Sequence, residues 1–190
     1  MAAKKILVFK GSPRKRGNSA TLADELVRGA RAKGAAVECF YLHGMDIRPC
    51  TACDACQKNT ALNCVIDDDM VGLYPKVRAA DALVIASPIY WFTLSAQTKL
   101  FIDRLYALGG PQGYALAGRK LGVILTYADE DVFRSGAVNA LRTLQDACAF
   151  IGMTVAGTVY GTAGAAGEIR RNRSLMKRAR KLGEQLASAA

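Results

Sequence analysis

Four of the six cysteines in this 190-residue chain fall within sixteen residues, PCTACDACQKNTALNC, from Pro49 to Cys64. Three are spaced C-x-x-C-x-x-C at Cys50, Cys53 and Cys56, and Cys64 follows after seven more residues. In a reducing compartment, clustered thiols hold metals or do redox chemistry more often than they form disulfides. A triplet with this spacing lets one loop wrap a corner of a [4Fe–4S] cube, with Cys64 as the fourth thiolate. Zinc could use the same four ligands but usually takes two separated pairs. Free or redox-active thiols and a disulfide are the other readings, and the cluster leads among them. Cys39 and Cys148 sit within a strand and a helix pattern and read as buried packing residues. The sole histidine, His43, reads as a loop residue without a role, and its being alone excludes a Rieske-type centre.

Two further stretches carry a different chemistry. GSPRKRGNS, Gly11 to Ser19, follows an apolar run and leads into a helical pattern. It contains neither G-x-G-x-x-G nor G-x-x-x-x-G-K-[ST], so the dinucleotide fingerprint and the P-loop are both absent. Its residues nevertheless suit a phosphate. Ser12 offers a hydroxyl, Arg14 a guanidinium fork and Gly17 close backbone approach, while Asn18 and Ser19 stand where a helix begins with free N–H groups. The alternative is an ordinary polar loop in which Asn18 or Ser19 caps the helix. SPIYW then places Pro88, Ile89, Tyr90 and Trp91 after another apolar run, with Phe92 next. Three consecutive aromatics cannot all enter one core, so at least one is free to stack on a flat heteroaromatic ring. TYADED, beginning with Thr126, Tyr127 and Ala128, adds backbone N–H groups after a further run. The three loops together describe a site for flavin mononucleotide (FMN).

The elements that must position these loops follow from periodicity. Apolar or β-branched runs at 5–9, 37–42, 82–87, 121–126 and 154–160 read as strands. Helical spacing separates most of them: Leu22, Leu26, Val27 and Ala30 share one face, and so do Phe101, Leu105 and Leu108. A fourth helix is predicted over 135–150, and a fifth, basic one follows. The second, over 67–80, contains Pro75, which must open a new helix or kink this one. Alternating strands and helices predict a doubly wound α/β sandwich with five parallel strands, whose ligands bind beyond the strands' carboxyl ends. The whole chain, 1–190, reads as one domain with a cysteine-rich loop at 49–64.

Taken together, GSPRKRGNS, the four-cysteine segment with its following VIDDDM, SPIYW, and the Ala96, Lys99, Asp103, Arg104 pattern resemble the iron–sulfur flavoproteins and the related NAD(P)H-dependent FMN reductases. The resemblance implies a flavodoxin-like fold with strand order 2-1-3-4-5, FMN as cofactor, NAD(P)H as a possible co-substrate and a homodimer or homotetramer. It implies that Ser12, Arg14, Asn18 and Ser19 hold the FMN phosphate, that Pro88 to Trp91 line the ring, and that Thr126 to Ala128 close its other side. Two departures stand out: Pro75 interrupts a helix the family usually leaves whole, and TYADED carries three acids where some members have a glycine-rich turn. The function expected is an FMN-dependent oxidoreductase or electron-transfer flavoprotein exchanging electrons with a [4Fe–4S] cluster; the alternative is an NAD(P)H-dependent FMN or quinone reductase without one. The partner expected is a small molecule or a ferredoxin-type protein.

Composition bounds the remaining classes. The chain is 51% hydrophobic with a mean hydropathy of +0.10, enough for one sizeable core. Its start is too short and wrongly flanked for a secretory signal, and its longest apolar run, 82–92, falls well short of a membrane span. A cytoplasmic protein without a membrane role is expected. The net charge of +10 raises the question of nucleic acid. Seven of the basic residues lie between Arg170 and Lys181, around an apolar stripe of Ile169, Leu175, Met176 and Leu182. No nucleic-acid motif accompanies them, so they read as the solvated face of a helix.

Overall fold

The computed structural model describes residues 2–58 and 64–188; residues 59–63 of the cysteine-rich loop, and so part of that sequence reading, lie outside it. Strands β1 (Lys5–Lys10), β2 (Ala36–Tyr41), β3 (Ala82–Tyr90), β5 (Lys120–Tyr127) and β6 (Thr154–Thr162) form a parallel sheet in the order β2-β1-β3-β5-β6. This is the predicted order, with one strand the sequence did not indicate: β4 (Thr93–Leu94), which turns back antiparallel on the end of β3. A two-residue strand leaves no alternation to read. The central strands are buried and mostly apolar along their middles, as expected of a parallel sheet covered on both faces.

Helices α1 (Asn18–Ala32) and α6 (Arg173–Ser188) cover one face. Leu22, Leu26, Leu175, Leu182 and Leu186 pack there with Ile6, Val8, Val84 and Ile124. The basic residues of α6 lie on its outer side while Ile169, Leu175 and Leu182 are buried, which matches the expected solvated face. On the other face, α3 (Met70–Ala79), α4 (Ala96–Arg104) and α5 (Ala137–Ile151) enclose Phe9, Leu83, Ile85, Phe101, Leu121 and Val123. Cys56, in the short helix α2 (Ala55–Lys58), packs into this second core. Among the described residues no helix is long and apolar enough to cross a membrane.

Three expectations are corrected. Pro75 does not open a helix: it sits inside α3. Its missing N–H would have served the carbonyl of Val71, and both residues are exposed, so water can satisfy that carbonyl. The helix begins at Met70 rather than 67 because the aspartates before it hold other partners, described below. The third predicted helix stops at Arg104 and continues as a 3₁₀ turn over Leu105–Leu108. Cys148 is buried, which pushes its thiol up to about 11, but Cys39 is exposed because β2 is an edge strand with both faces partly open.

The α1–α6 crossing depends on two glycines. A Cβ on Gly29 would lie 2.0 Å from the carbonyl oxygen of Arg180, and one on Gly183 would lie 2.0 Å from that of Leu26. Helix propensity alone would make Gly183→Ala stabilising by about 1 kcal/mol. Because the obstacle is backbone, overpacking should win and leave a net loss of about 1–3 kcal/mol, read as a lower Tm by calorimetry. A raised Tm would contradict the close crossing.

Candidate functional site

Strand register brings the three candidate loops to one edge. Phe9 and Lys10 pair with Ile85 and Ala86 of β3, and Pro88 pairs with Thr126 of β5. Strand β1 ends at Lys10, so Pro88 extends past it and is free of a ladder partner on that side, which is how a central strand accommodates proline. A buried hydroxyl network ties the loops together. Ser95 Oγ donates to the carbonyl of Gly11 at 2.8 Å and lies 2.9 Å from Thr98 Oγ1, while the N–H of Ser95 donates to Ser87 Oγ at 3.1 Å. Ser87, Ser95 and Thr98 are fully buried. Gly11 must be glycine here, since a Cβ would fall 1.8 Å from Thr98 Oγ1. Ser95 also caps α4, its side chain accepting from the N–H of Thr98.

A narrow cleft of about 90 Å³ opens at this edge, lined by Ser12, Arg14, Gly17, Asn18, Ser19, Pro88, Ile89, Tyr90, Thr126, Tyr127 and Ala128. Eleven of the twelve residues assigned to FMN from the sequence therefore share one cavity. The twelfth, Trp91, lies in an adjoining open groove of about 450 Å³ with Phe92, Asp129, Arg134 and Ser135. Ile89, Tyr127 and Ala128 line both cavities and make them continuous. Burial raises the Tyr127 phenol above its ordinary value, so it remains protonated at neutral pH.

Neither Asn18 nor Ser19 caps α1. The N-cap is Gly17, with no side-chain cap bond, and a Cβ there would crowd Ser12 Oγ at 2.7 Å. The Asn18 amide donates to the carbonyls of Ala163 and Ala165 at 3.1 and 2.9 Å, and its oxygen accepts from the N–H of Ile169. It ties down a segment after β6 whose Ala163, Gly164 and Ala166 complete the cleft. The small-residue run TAGAAG at a strand's carboxyl end was the signal available for that fourth loop. Ser19 is fully buried and its Oγ has no partner. An orphaned hydroxyl beside the free N–H groups of a helix N-terminus, with Arg14 on the same wall, fits the phosphate of FMN.

The groove beyond is aromatic and strained. Trp91 and Phe92 both have positive φ, +46° and +66°, between the paired residues Tyr90 and Thr93. They form the two-residue tip of a tight hairpin, a place that favours asparagine and glycine. Bulky residues there cost about 1 kcal/mol or more each. Trp91 is nevertheless 92% exposed, and its ring meets that of Phe92 edge-on with centroids 6.0 Å apart, a contact within the same tip. The three acids of TYADED are internally matched. Arg134 lies 3.8 Å from Asp129 and 3.2 Å from Glu130, and Asp131 accepts the N–H groups of Phe133 and Arg134.

The cysteine loop sits elsewhere, and none of its cysteines lines either cavity. Cys50 and Cys53 are exposed, Cys64 is half-buried and Cys56 is buried in the second core. Two residues among them, Ala52 and Asp54, have positive φ, as in backbone nests that bind anionic sulfur sites. The N–H of Ala52 donates to Cys50 Sγ at 3.5 Å. Hydrogen bonds from the Ala55 N–H and the Thr51 side chain hold the Cys53 thiol below its ordinary value. The donor set thus suits a thiolate-bound metal, but among the described residues no three His, Cys, Asp or Glu side chains converge to hold one. His43 stands apart too, its Nδ1 3.1 Å from Gln97 Nε2.

Comparison with known proteins matches residues 4–168 to the family model of the NADPH-dependent FMN reductases. An iron–sulfur flavoprotein of Methanosarcina thermophila is 32% identical over 153 residues, 80% of this chain and 77% of that one. An FMN-dependent NADH:quinone oxidoreductase of Pseudomonas fluorescens is 32% identical over 119 residues, 58% of each chain. Among solved structures, an NAD(P)H:quinone oxidoreductase of Methanothermobacter marburgensis superposes with a TM-score of 0.76 over the full length of both chains at 18% identity, a likeness of fold.

The orphaned hydroxyl yields a test with two signs. Ser19→Ala removes a buried polar atom that has no partner, so the apo protein's Tm should hold or rise. FMN should bind more weakly by about 1.5–3 kcal/mol, as for a hydrogen bond to a charged group, while riboflavin should be unaffected. Equal effects on FMN and riboflavin in titration calorimetry would remove Ser19 from the phosphate end.

Proposed function

The chain belongs to the NADPH-dependent FMN reductase family, making it an FMN-dependent oxidoreductase, and we propose that it reduces its flavin with NAD(P)H bound in the groove beside Trp91. The observation that carries this reading is the continuity of the narrow cleft with the open aromatic groove through Ile89, Tyr127 and Ala128. Bound FMN supplies two-electron hydride acceptance and release of electrons one at a time. The chain's own residues then have three tasks. Arg14, Ser12, Ser19 and the first turn of α1 neutralise and orient the phosphate. Gly17 keeps the loop close, Pro88 to Tyr90 frame one side of the ring, and Thr126 to Ala128 with the 163–166 segment bound the other. Trp91 and Phe92 offer flat surface over the groove, where a nicotinamide or quinone ring can lie against the flavin.

No acid or base need act on the substrate, since donor and acceptor can occupy the groove in turn. Arg134 gives the groove its tolerance for an anionic donor: it offsets Asp129 and Glu130, and Asp131 is occupied by backbone N–H groups. The acceptor is a small molecule or a ferredoxin-type protein, and the chain acts as a homodimer or homotetramer, for which its exposed aromatic tip offers contact area.

A second reading adds a [4Fe–4S] cluster on Cys50, Cys53, Cys56 and Cys64, with the flavin exchanging single electrons with it. The N–H bond to Cys50 and the lowered Cys53 thiol favour it. So does the printed description of the Methanosarcina relative.

One experiment separates the readings. FMN-loaded protein prepared without oxygen, with iron and sulfide supplied, should oxidise NADPH in steady state with a quinone added as electron acceptor, whether or not metal is found. Absence of NADPH turnover would overturn the first reading, and absence of both iron and sulfide the second. Arg134→Ala should raise KM for NADPH several-fold at low salt with kcat little changed, and the difference should shrink as ionic strength rises. A salt-independent change would mean that the arginine acts by shape rather than charge.

A further inference from the structure

The two ends of the cysteine loop meet at a neck. The N–H of Asp46 donates to Asp69 Oδ2 at 2.8 Å, and the N–H of Asp69 donates to the carbonyl of Asp46 at 3.0 Å. The N–H of Arg48 donates to Asp68 Oδ2 at 2.9 Å, and the Arg48 guanidinium reaches the carbonyl of Asp67. One side chain from outside the loop grips both ends: Arg104, the last residue of α4. Its Nη1 bonds Asp68 Oδ2 and, at 2.8 Å, the carbonyl of Arg48, while its Nη2 donates to Asp68 Oδ1 at 3.1 Å. The Arg104 and Asp68 side chains are 1% and 0% exposed.

We propose that the Asp68–Arg104 pair is the clasp of the cysteine loop, a pair of positioning residues that fixes where the four thiols sit and takes no part in holding the flavin. Arginine is suited to the task because its planar fork can serve a carboxylate and a carbonyl at once. Burial works against the Asp68 charge, yet the Arg104 fork and the N–H groups of Arg48 and Met70 more than offset it and keep the carboxyl below its ordinary range. The Tyr74 hydroxyl donates to the Arg104 carbonyl at 3.1 Å, and Cys64 packs against the core that contains Tyr74. Beside the packing of Cys56 into the second core, a further fastening among the described residues is more exposed: Gln57 Nε2 to the carbonyl of Tyr106, and the Tyr106 hydroxyl to Asp54. Neither Asp68 nor Arg104 lines the flavin cleft or the groove.

Asp68→Asn keeps the shape and removes the charge. Thiol labelling of metal-free, FMN-loaded protein, read residue by residue by mass spectrometry, reports loop position without depending on a cluster. We expect Cys56 and Cys64 to label about tenfold faster or more, approaching Cys50 and Cys53. Cys148, buried on α5, should keep its slow rate, and FMN affinity should be unchanged. Arg104→Lys, which keeps the charge but cannot fork, should change labelling in the same pattern to a smaller extent. Unchanged rates at Cys56 and Cys64 would overturn the clasp. So would a parallel rise at Cys148, loss of FMN, or failure of both variants to fold, since the pair would then hold the domain rather than the loop.

Discussion

The site depends on a buried hydroxyl network. Ser87 lies near the end of the covered part of β3, Ser95 precedes α4 and Thr98 lies one turn on; together they hold the carbonyl of Gly11 at the start of the first loop. All three hydroxyls are out of water, so each must find its partner within the chain, and the partners available belong to different loops. The first loop and the loop after β3 are thereby fixed relative to each other. The Gly11 seat is too tight for a side chain, which makes that backbone contact as specific as the hydrogen bonds.

On this frame the cleft has two ends with different physics. At the proposed phosphate end, order comes from hydrogen-bonded polar groups, and the buried Ser19 hydroxyl is without a partner among the described residues. At the ring end, order comes from a strained hairpin that holds Trp91 and Phe92 outward with positive φ. Exposed aromatics in a costly backbone are stable only because β3, β4 and the start of α4 determine the turn from both sides. Asn139 of α5 adds a hydrogen bond to the Phe92 carbonyl at 3.2 Å.

The cysteine loop is a separate attachment to the same sheet. It fastens to α3 and α4 through Asp68, Tyr74 and Arg104, on the face away from α1 and α6. The candidate cleft draws on the ends of β1, β3 and β5, the start of α1 and the segment after β6. Two sets of chemistry-bearing residues thus sit on one fold with few shared contacts, and each can change with little cost to the other.

Much of this was legible in residue order. Patterning along the chain determined five strands and a doubly wound sandwich, because each element must bury an apolar face and parallel strands need crossovers, while the strand order came from the family resemblance. The three loops at the carboxyl edge followed from topology, and their residue types announced a phosphate and a flat ring. Tertiary structure decided the rest. It turned Asn18 from a candidate cap into a tie for Ala163 and Ala165, since an amide takes whichever carbonyls lie nearest in space. Similarly, it matched the TYADED acids to Arg134 and the N–H groups of the following turn, exposed Cys39 at a sheet edge, and brought Arg104 to Asp68 across 36 residues. Local spacing reports which face a residue takes within its own element. Which polar partner a buried group meets is settled only when separate elements pack, because that pairing is a property of distance in space and not along the chain.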